Sequence, residues 1–287
     1  MASAQTTSKT MSVWYRTVDG VRIRCAESDG PPDRTVVLTS PWPESVYAFA
    51  PIWSLLGRRF RLFAVDLPGF GASERRDDLL SPRAMGAFLL RLVDECELGR
   101  PHLVAPDVGT SAALFAVASS PEAVASVVVG SGGVAVPIAL GEPLKGWVLD
   151  ADVERFRSVD SAAIVTAALD TVAGHVFPNA IREDYLESYA GDRFFESIRY
   201  ARRYPEELPA LAQLLPELET PVLIFAGLRD RVVPPVNAEF LAERIPFSRL
   251  APIECGHFVW EEASDRFAAM IAAWVTGGYR KPGGADN

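Results

Sequence analysis

The sequence predicts an α/β fold in which a mostly parallel β-sheet is flanked by helices. Short, continuously apolar runs recur along the chain, and segments with the 3.6-residue apolar spacing of helices lie between them. In addition, 49% of the 287 residues are hydrophobic and 23% are charged, which is close to the usage of folded globular proteins. This length and composition allow one large domain that carries an insertion.

The interior strands of the sheet are predicted from five apolar runs rich in Val, Ile and Leu. Strands that are buried on both faces of a parallel sheet have this composition because helices cover both sides. The runs are residues 36–40, 61–67, 102–107, 126–131 and 221–227. Residues 14–27 instead alternate around the turn Asp19-Gly20, which predicts an antiparallel hairpin at one edge.

A helix is predicted over residues 81–98, with Ser81 as its N-cap and Pro82 at its first position. The strand pattern stops between Val134 and about Leu218, where the sequence becomes helical, charged and rich in tyrosine. We therefore expect a core formed by two segments and an inserted helical cap. The core consists of residues 1–134 and 219–287, and the cap consists of residues 135–218.

The acidic excess of the chain argues against some partners. With 37 acidic and 28 basic residues the formal charge is −9, which repels nucleic acid and anionic membrane surfaces. No apolar run reaches the ~18 residues that cross a bilayer, and residues 1–10 hold no apolar stretch for a secretory signal. The expected location is the cytoplasm. Cys25, Cys96 and Cys255 are odd in number and widely spaced, which favours buried free thiols over disulfides or a metal site.

Asp107 stands at a corner between a strand and a helix, because residues 102–107 run directly into an apolar helical start. In the motif G-x-nucleophile-x-G, small residues on both sides allow a strained turn that presents the nucleophile above the sheet. Residues 105–109 are APDVG, with Ala in place of the first Gly and a carboxylate as the nucleophile. An Asp before a helix can also serve only as an N-cap.

Two later segments complete a candidate triad. Asp230 follows the apolar run 221–227 on a tight loop, and His257 follows Gly256 after a late strand. This order of nucleophile, acid and histidine is known from catalytic triads. The other two histidines lie at the entrance of a strand and in the cap, so His257 is the predicted base. A single histidine on a loop can also be structural.

With these segments the chain resembles the α/β-hydrolase fold superfamily over nearly its whole length, and within it the branch with an aspartate nucleophile. That branch includes epoxide hydrolases, haloalkane dehalogenases and fluoroacetate dehalogenases. The resemblance rests on APDVG (105–109), GLRDRVVPP (227–235), CGHF (255–258) and DLPGFGAS (66–73). It implies an eight-stranded, mostly parallel sheet with an inserted helical cap and a triad of Asp107, Asp230 and His257. We expect neither a cofactor nor a metal ion.

Residues 40–45, SPWPES, resemble the HGxPES stretch of epoxide hydrolases. In the family one oxyanion donor is the backbone N–H between Gly and Pro, here that of Trp42, and the other is the N–H after the nucleophile, here that of Val108. Ser40 and Pro41 replace His and Gly, but neither is the donor, so the oxyanion hole survives if Pro41 permits the same turn. Pro43 matches a proline that is often cis in the family. The segment can also be merely a rigid turn.

An aspartate nucleophile implies attack on a saturated carbon and an alkyl ester that water then hydrolyses. In this scheme His257 activates the water, Asp230 orients the imidazole, and the two amides stabilise the oxyanion. An epoxide is favoured over a carbon–halogen substrate because Val108 replaces the Trp of haloalkane dehalogenases and the Arg of fluoroacetate dehalogenases.

The resemblance also implies an acid for the epoxide oxygen, which the family supplies as one or two cap tyrosines. Tyr200 is the first candidate and Tyr204 the second, although a cap tyrosine can also be merely packed or solvent-exposed. Alternatively, Trp42 and Trp147 could bind a halide between them.

Two readings of other classes stay open, because a fold does not fix a reaction. One is a cofactor-free lyase or cyclase in which Asp107 and His257 act only as acid and base. The other is a ligand-binding protein with a vestigial site. In each case the expected partner is a small molecule, with neither nucleic acid nor membrane. The sequence leaves the substrate's identity and the oligomeric state open, including a homodimer.

Overall fold

The structure is a computed structural model that describes residues 11–279, apart from residues 32 and 153. Residues 1–10, in which we expect no secretory signal, and residues 280–287 of the predicted core lie outside the described residues. Within the described part of the chain, no helix combines the length and the apolar character needed to cross a bilayer.

The described residues form one sheet of eight strands. These are β1 (Val13–Val18), β2 (Val21–Glu27), β3 (Thr35–Thr39), β4 (Arg61–Val65), β5 (His102–Pro106), β6 (Ser126–Gly130), β7 (Val222–Gly227) and β8 (Ser248–Ile253). They lie side by side in the order β1-β2-β4-β3-β5-β6-β7-β8. β2 is antiparallel to both β1 and β4, and all other neighbours are parallel. The predicted fold class is confirmed.

The apolar runs correspond to the interior strands β3 to β7, as predicted. Every residue of β3, β5, β6 and β7 is buried, which explains why the runs are continuously apolar rather than alternating. The hairpin at one edge is confirmed by the antiparallel register of β1 and β2, in which Val18 pairs with Val21. At the other edge β8 is largely exposed or half-buried, so its sequence lacks a continuous apolar run.

Helices cover both faces of the sheet. In chain order they are α1 (Ala50–Leu56), α2 (Pro82–Glu95), α3 (Val108–Ser119), α4 (Leu144–Leu149), α5 (Ser161–Leu169), α6 (Asn179–Ser188), α7 (Arg193–Ala201), α8 (Tyr204–Leu214), α9 (Val236–Arg244), α10 (Val259–Glu262) and α11 (Ser264–Ala273). The apolar sides of α2, α3 and α9 pack on one face, and those of α1, α10 and α11 on the other. The predicted start of α2 is confirmed, since Ser81 Oγ accepts a hydrogen bond from the N–H of Ala84.

The segment from α4 to α8 lies between β6 and β7 in the chain, and we call it the cap. Most of its aromatic side chains are buried and belong to the same apolar cluster as α2 and α3. Examples are Tyr185 and Tyr189, both 0% exposed. The cap therefore packs on the core through large side chains. The strands β5, β6, β7 and β8 lie side by side and are parallel. The loops that follow β5, β7 and β8 therefore emerge at the same edge of the sheet.

Candidate active site

Asp107 occupies the sharp turn between β5 and α3, with φ 52° and ψ −121°. Its own N–H donates to the carbonyl of Gly130 at 3.0 Å, and its side chain makes no capping bond to α3. The carboxylate is therefore free of the N-cap role. Gly109 is required here, because a Cβ at this position would lie 2.3 Å from Thr39 Oγ1. These features match the nucleophile elbow that the sequence predicts.

The structure brings the three predicted triad residues together at the carboxyl edge of the sheet. His257 Nδ1 lies 2.8 Å from Asp230 Oδ2, and His257 Nε2 lies 3.8 Å from Asp107 Oδ1. The other oxygen of Asp230 accepts hydrogen bonds from the N–H groups of Val232 and Val233, both at 2.8 Å. Asp230 is thus held by its own loop and fixes the orientation of the imidazole, as an orienting acid does.

Two backbone amides contact the carboxylate of Asp107. The N–H of Trp42 donates to Asp107 Oδ2 at 2.7 Å, and the N–H of Val108 also bonds to the Asp107 carboxylate. These are the two predicted oxyanion donors. The substitution of Ser40 and Pro41 preserves the turn, since the N–H of Ser40 donates to Val65 and the carbonyl of Pro41 accepts from Glu44. The peptide bond between Trp42 and Pro43 is cis.

The charges of the site are set by burial and by their mutual attraction. Burial raises the pKa of Asp107 to about 6, although the charge of His257 and the amides of Trp42 and Val108 oppose the rise. Burial alone would lower the pKa of His257. The hydrogen-bonded charge of Asp230, with that of Asp107, outweighs burial and raises the pKa of His257 to about 9. Near neutral pH the site therefore holds an ionised Asp107 beside an imidazolium.

A second buried acid pair lies behind the triad. Glu44 Oε2 accepts from the indole N–H of Trp260 at 2.8 Å, and Glu261 Oε1 accepts from the hydroxyl of Tyr185 at 3.3 Å. Among the described residues, Glu44 Oε1 and Glu261 Oε2 are buried and have no other hydrogen-bond partner, and the two carboxyl groups influence each other's pKa. A proton shared between them would satisfy both oxygens. Burial, with repulsion from Glu261, raises the pKa of Glu44, and burial raises the pKa of Glu261 to about 7. No motif in the sequence marks this pair.

A cavity of about 430 Å³ opens above Asp107 and His257, between the cap and the core. Its wall is mainly apolar and includes Trp42, Leu144, Trp147, Ile164, Phe194 and Phe258. Trp42 stacks on Phe194 with ring centroids 4.9 Å apart, and Trp147 meets both rings edge-on. The exposed side chains of Glu142 and Arg231 also line the cavity. The shape and lining suit a small, largely apolar molecule.

The predicted cap acids need correction. Among the described residues, no tyrosine lines this cavity. The hydroxyl of Tyr200 donates to the carbonyl of Val108 at 2.7 Å and the side chain is 0% exposed. Tyr204 is buried edge-on against Tyr200, with ring centroids 6.0 Å apart. Both tyrosines therefore pack the base of α3 under the cap, whereas the predicted binding residue Trp147 does line the cavity.

The indole of Trp42 is held by a cap residue, Ser197. Its Nε1 donates to Ser197 Oγ at 2.8 Å, and the hydroxyl of Ser197 donates to the carbonyl of Phe194 at 2.6 Å. Ser197 stands on α7 without any recognisable motif, so only the folded arrangement identifies it. His102, in turn, is structural, because Nδ1 lies 2.7 Å from Ser126 Oγ inside the core.

Comparison with known proteins identifies the fold family of the chain. Residues 34–264 match the model of a family described as the alpha/beta hydrolase fold. A 2-hydroxy-6-oxononadienedioate/2-hydroxy-6-oxononatrienedioate hydrolase of Burkholderia vietnamiensis is 26% identical over 227 residues, which are 75% of this chain and 76% of that protein.

Two solved structures have similar folds. Cfl2 from Burkholderia cenocepacia has 25% sequence identity and a TM-score of 0.77, and the match covers 93% of this chain and 96% of Cfl2. The epoxide hydrolase CorEH has 17% identity and a TM-score of 0.76, with 93% and 99% of the two chains covered. On the strength of the family match over most of its length, the chain belongs to the α/β-hydrolase fold family of hydrolases.

Proposed function

We propose that this hydrolase opens small, largely apolar epoxides through a covalent ester on Asp107. The observation that carries the proposal is that the two carboxylate oxygens of Asp107 have different surroundings. Oδ2 is bound by the amide of Trp42, whereas Oδ1 lies on the side of His257 Nε2. Oδ1 is therefore the attacking atom, and Oδ2 is the ester carbonyl oxygen that becomes the oxyanion in the second step.

In the first step Asp107 Oδ1 attacks an epoxide carbon in line with the breaking carbon–oxygen bond. The electron pair of that bond goes to the epoxide oxygen, which takes a proton from the imidazolium of His257. The products are a hydroxyalkyl ester of Asp107 and a neutral imidazole. Because the ester carries no charge, the pKa of His257 loses the contribution of Asp107, which favours the neutral base needed next.

In the second step His257 takes a proton from water and the hydroxide adds to the carboxyl carbon of Asp107. The oxyanion on Oδ2 is stabilised by the amides of Trp42 and Val108. When the oxyanion collapses, the bond between the carboxyl carbon and Oδ1 breaks, and Oδ1 leaves as an oxygen of the diol. This oxygen takes the proton of the new carboxyl group. Asp107 is then again a carboxylate and His257 an imidazolium, so both residues return to their starting protonation states after one turnover.

Two observations support an epoxide over a carbon–halogen substrate. A halide held between Trp42 and Trp147 needs both indole N–H groups, but that of Trp42 is bound to Ser197. The site also has a proton donor on the cavity wall, because His257 lines the cavity. Burial lowers the pKa of His257, but the charge of Asp230 outweighs burial and raises this pKa to about 9. A leaving halide needs no proton, whereas an epoxide oxygen does.

The decisive experiment is a single turnover of styrene oxide in heavy-oxygen water with enzyme in excess. We expect the label in the peptide that contains Asp107 and unlabelled oxygen in the first diol, because water attacks the carboxyl carbon. The control is Asp107→Ala, which should show neither turnover nor label. Heavy oxygen in the first diol, with none in Asp107, would mean direct attack by water and would support the acid–base alternative instead.

The substrate class needs a separate panel. It should contain aryl and terminal alkyl epoxides, bromoalkanes, fluoroacetate and a dienedioate of the kind named for the Burkholderia vietnamiensis relative. We expect the epoxides to have the highest kcat/KM. A preference for the dienedioate or for a halogenated compound would move the assignment to that class while leaving the triad in place.

A further inference from the structure

We propose that two cap side chains, Asp184 and Tyr189, are positioning residues for the oxyanion hole, because they hold the loop that carries the Trp42 amide. We call residues 41–46 the oxyanion loop. The inference rests on the proposed function, in which this amide stabilises the negative charge on Asp107 Oδ2 during ester hydrolysis. It extends that function by making the cap part of the hydrolytic machinery in addition to its role as the wall of the cavity.

Asp184, on α6 of the cap, binds the oxyanion loop directly. Its Oδ1 accepts a hydrogen bond from Ser45 Oγ at 2.6 Å. The same carboxylate forms two hydrogen bonds with the guanidinium of Arg24, at 2.5 and 3.0 Å. Arg24 is 4% exposed, so the charged pair is largely shielded from water and its geometry is strongly specified. Ser45 is three residues from Trp42.

Arg24 links this contact to the core. Its Nε donates to Asp66 Oδ2 at 2.7 Å, and Asp66 Oδ1 accepts from the N–H of Val46 at 2.7 Å. Two carboxylates, one from the cap and one that follows β4, therefore bind adjacent residues of the oxyanion loop directly, and the guanidinium of Arg24 joins the two carboxylates. Loss of Asp184 leaves Asp66 in place but frees Ser45.

Tyr189 binds the same loop at a second point. Its hydroxyl donates to the carbonyl of Glu44 at 3.0 Å and accepts from the N–H of Gly71 at 3.0 Å. The side chain is 0% exposed, so its removal leaves two backbone groups without a partner and without water. Tyr189 thus joins the oxyanion loop to the turn after β4 through one atom.

The two steps of the reaction depend on this loop to different degrees. During alkylation the charge of Asp107 disappears, so the Trp42 amide loses an anionic partner. During ester hydrolysis a full negative charge develops on Oδ2, where the amide is needed most. A displaced oxyanion loop should therefore slow the second step more than the first, and the ester should accumulate.

The test is rapid-quench kinetics of an epoxide substrate with intact-mass detection of the ester. For Asp184→Ala and Tyr189→Phe we expect the rate of ester decay to fall ~10-fold, less than the ~10²- to 10³-fold loss when an oxyanion donor is removed outright, while ester formation changes less than ~3-fold. Asp184→Asn keeps an acceptor for Ser45 and should restore part of the decay rate. The matched control is Glu183→Ala, at the exposed neighbouring position on α6, which should behave as wild type.

Equal slowing of both steps, or unchanged ester decay, would overturn the inference, because a general folding defect does not select the second step. The proposed function is judged separately on the wild type by the heavy-oxygen turnover. If Asp107 is labelled there but the cap variants leave ester decay unchanged, only the positioning role fails. If Asp107 of the wild type is never labelled, the covalent mechanism itself is wrong, and the positioning role falls with it.

Discussion

The Nε2 atom of His257 lies 3.8 Å from Oδ1 of Asp107, which is too long for a hydrogen bond but close enough for their charges to stabilise each other. Asp107 Oδ1 is consequently not hydrogen-bonded to His257, and both residues line the cavity. The gap is one in which the epoxide oxygen, and later a water molecule, can contact Nε2. In the proposed mechanism the same nitrogen serves as the acid of the first step and the base of the second.

This charge arrangement predicts a bell-shaped pH dependence of kcat/KM for epoxides. Below about pH 6 protonation of Asp107 removes the nucleophile, and above about pH 9 His257 loses the proton that the epoxide oxygen needs. For a bromoalkane that the site accepts, only the acidic limb should be present, because bromide leaves without a proton. Measurement of kcat/KM for both substrates between pH 5 and 10 checks this prediction. An epoxide profile without an alkaline limb would show that another group is the acid.

The variant His257→Gln should separate the two roles of the imidazole. With a bromoalkane, the alkyl ester should form and persist, because only its hydrolysis needs the base, and the mass should rise by the substrate minus hydrogen bromide. With an epoxide, ester formation itself should slow by ~10²-fold or more, the usual range for loss of a general acid. Intact mass over time measures both. Rapid accumulation of the epoxide adduct would contradict the role of His257 as acid.

Much of this arrangement follows from the sequence because it depends on local patterns. A buried parallel strand has to be apolar, and a strand that runs into a helix places Asp107 at an elbow, so the fold and the order of the triad could be predicted. The position of the Trp42 amide also follows from a short motif that tolerates Ser40 and Pro41, because a backbone N–H depends on the turn and not on those side chains.

The parts that could not be predicted depend on contacts between segments far apart in the chain. A tyrosine in the cap sequence looks the same whether its hydroxyl contacts substrate or a backbone carbonyl. Only the packing of α7 against α3 directs the hydroxyl of Tyr200 to the carbonyl of Val108. Likewise Ser197 and Asp184 bind residues 155 and 139 positions away. No local motif marks such pairs, since each partner is an ordinary polar residue until the cap folds onto the core.

The placement of Tyr200 predicts a structural effect without a catalytic one. In Tyr200→Phe the carbonyl of Val108 loses its buried donor, so the free energy of unfolding should fall by ~1–3 kcal/mol. The value of kcat/KM for epoxides should stay within about twofold of wild type, because other groups supply the proton. Urea unfolding and steady-state kinetics measure the two effects. A large fall in kcat at unchanged stability would restore Tyr200 as the leaving-group acid.

The carboxyl pair of Glu44 and Glu261 predicts how stability changes with pH. Burial, with repulsion between the pair, holds the pKa of Glu44 above its usual value, and burial raises that of Glu261 to about 7. Between the ordinary glutamate pKa of about 4.3 and these raised values, the folded protein binds more protons than the unfolded chain. The free energy of unfolding attributable to the pair therefore falls as the pH rises through this window.

Replacing Glu261 with Gln should reduce that fall, because only Glu44 is then left to ionise and an amide N–H can bond to it in place of the shared proton. At pH 5 the variant and the wild type should have similar free energies of unfolding, whereas at pH 8 the variant should be more stable by ~1–3 kcal/mol. Urea unfolding at the two pH values measures the difference. The matched control is Glu239→Gln, at an exposed position, which should track the wild type at both pH values. If Glu261→Gln also tracked the wild type, the two carboxyl groups would not share a proton, and each would ionise independently.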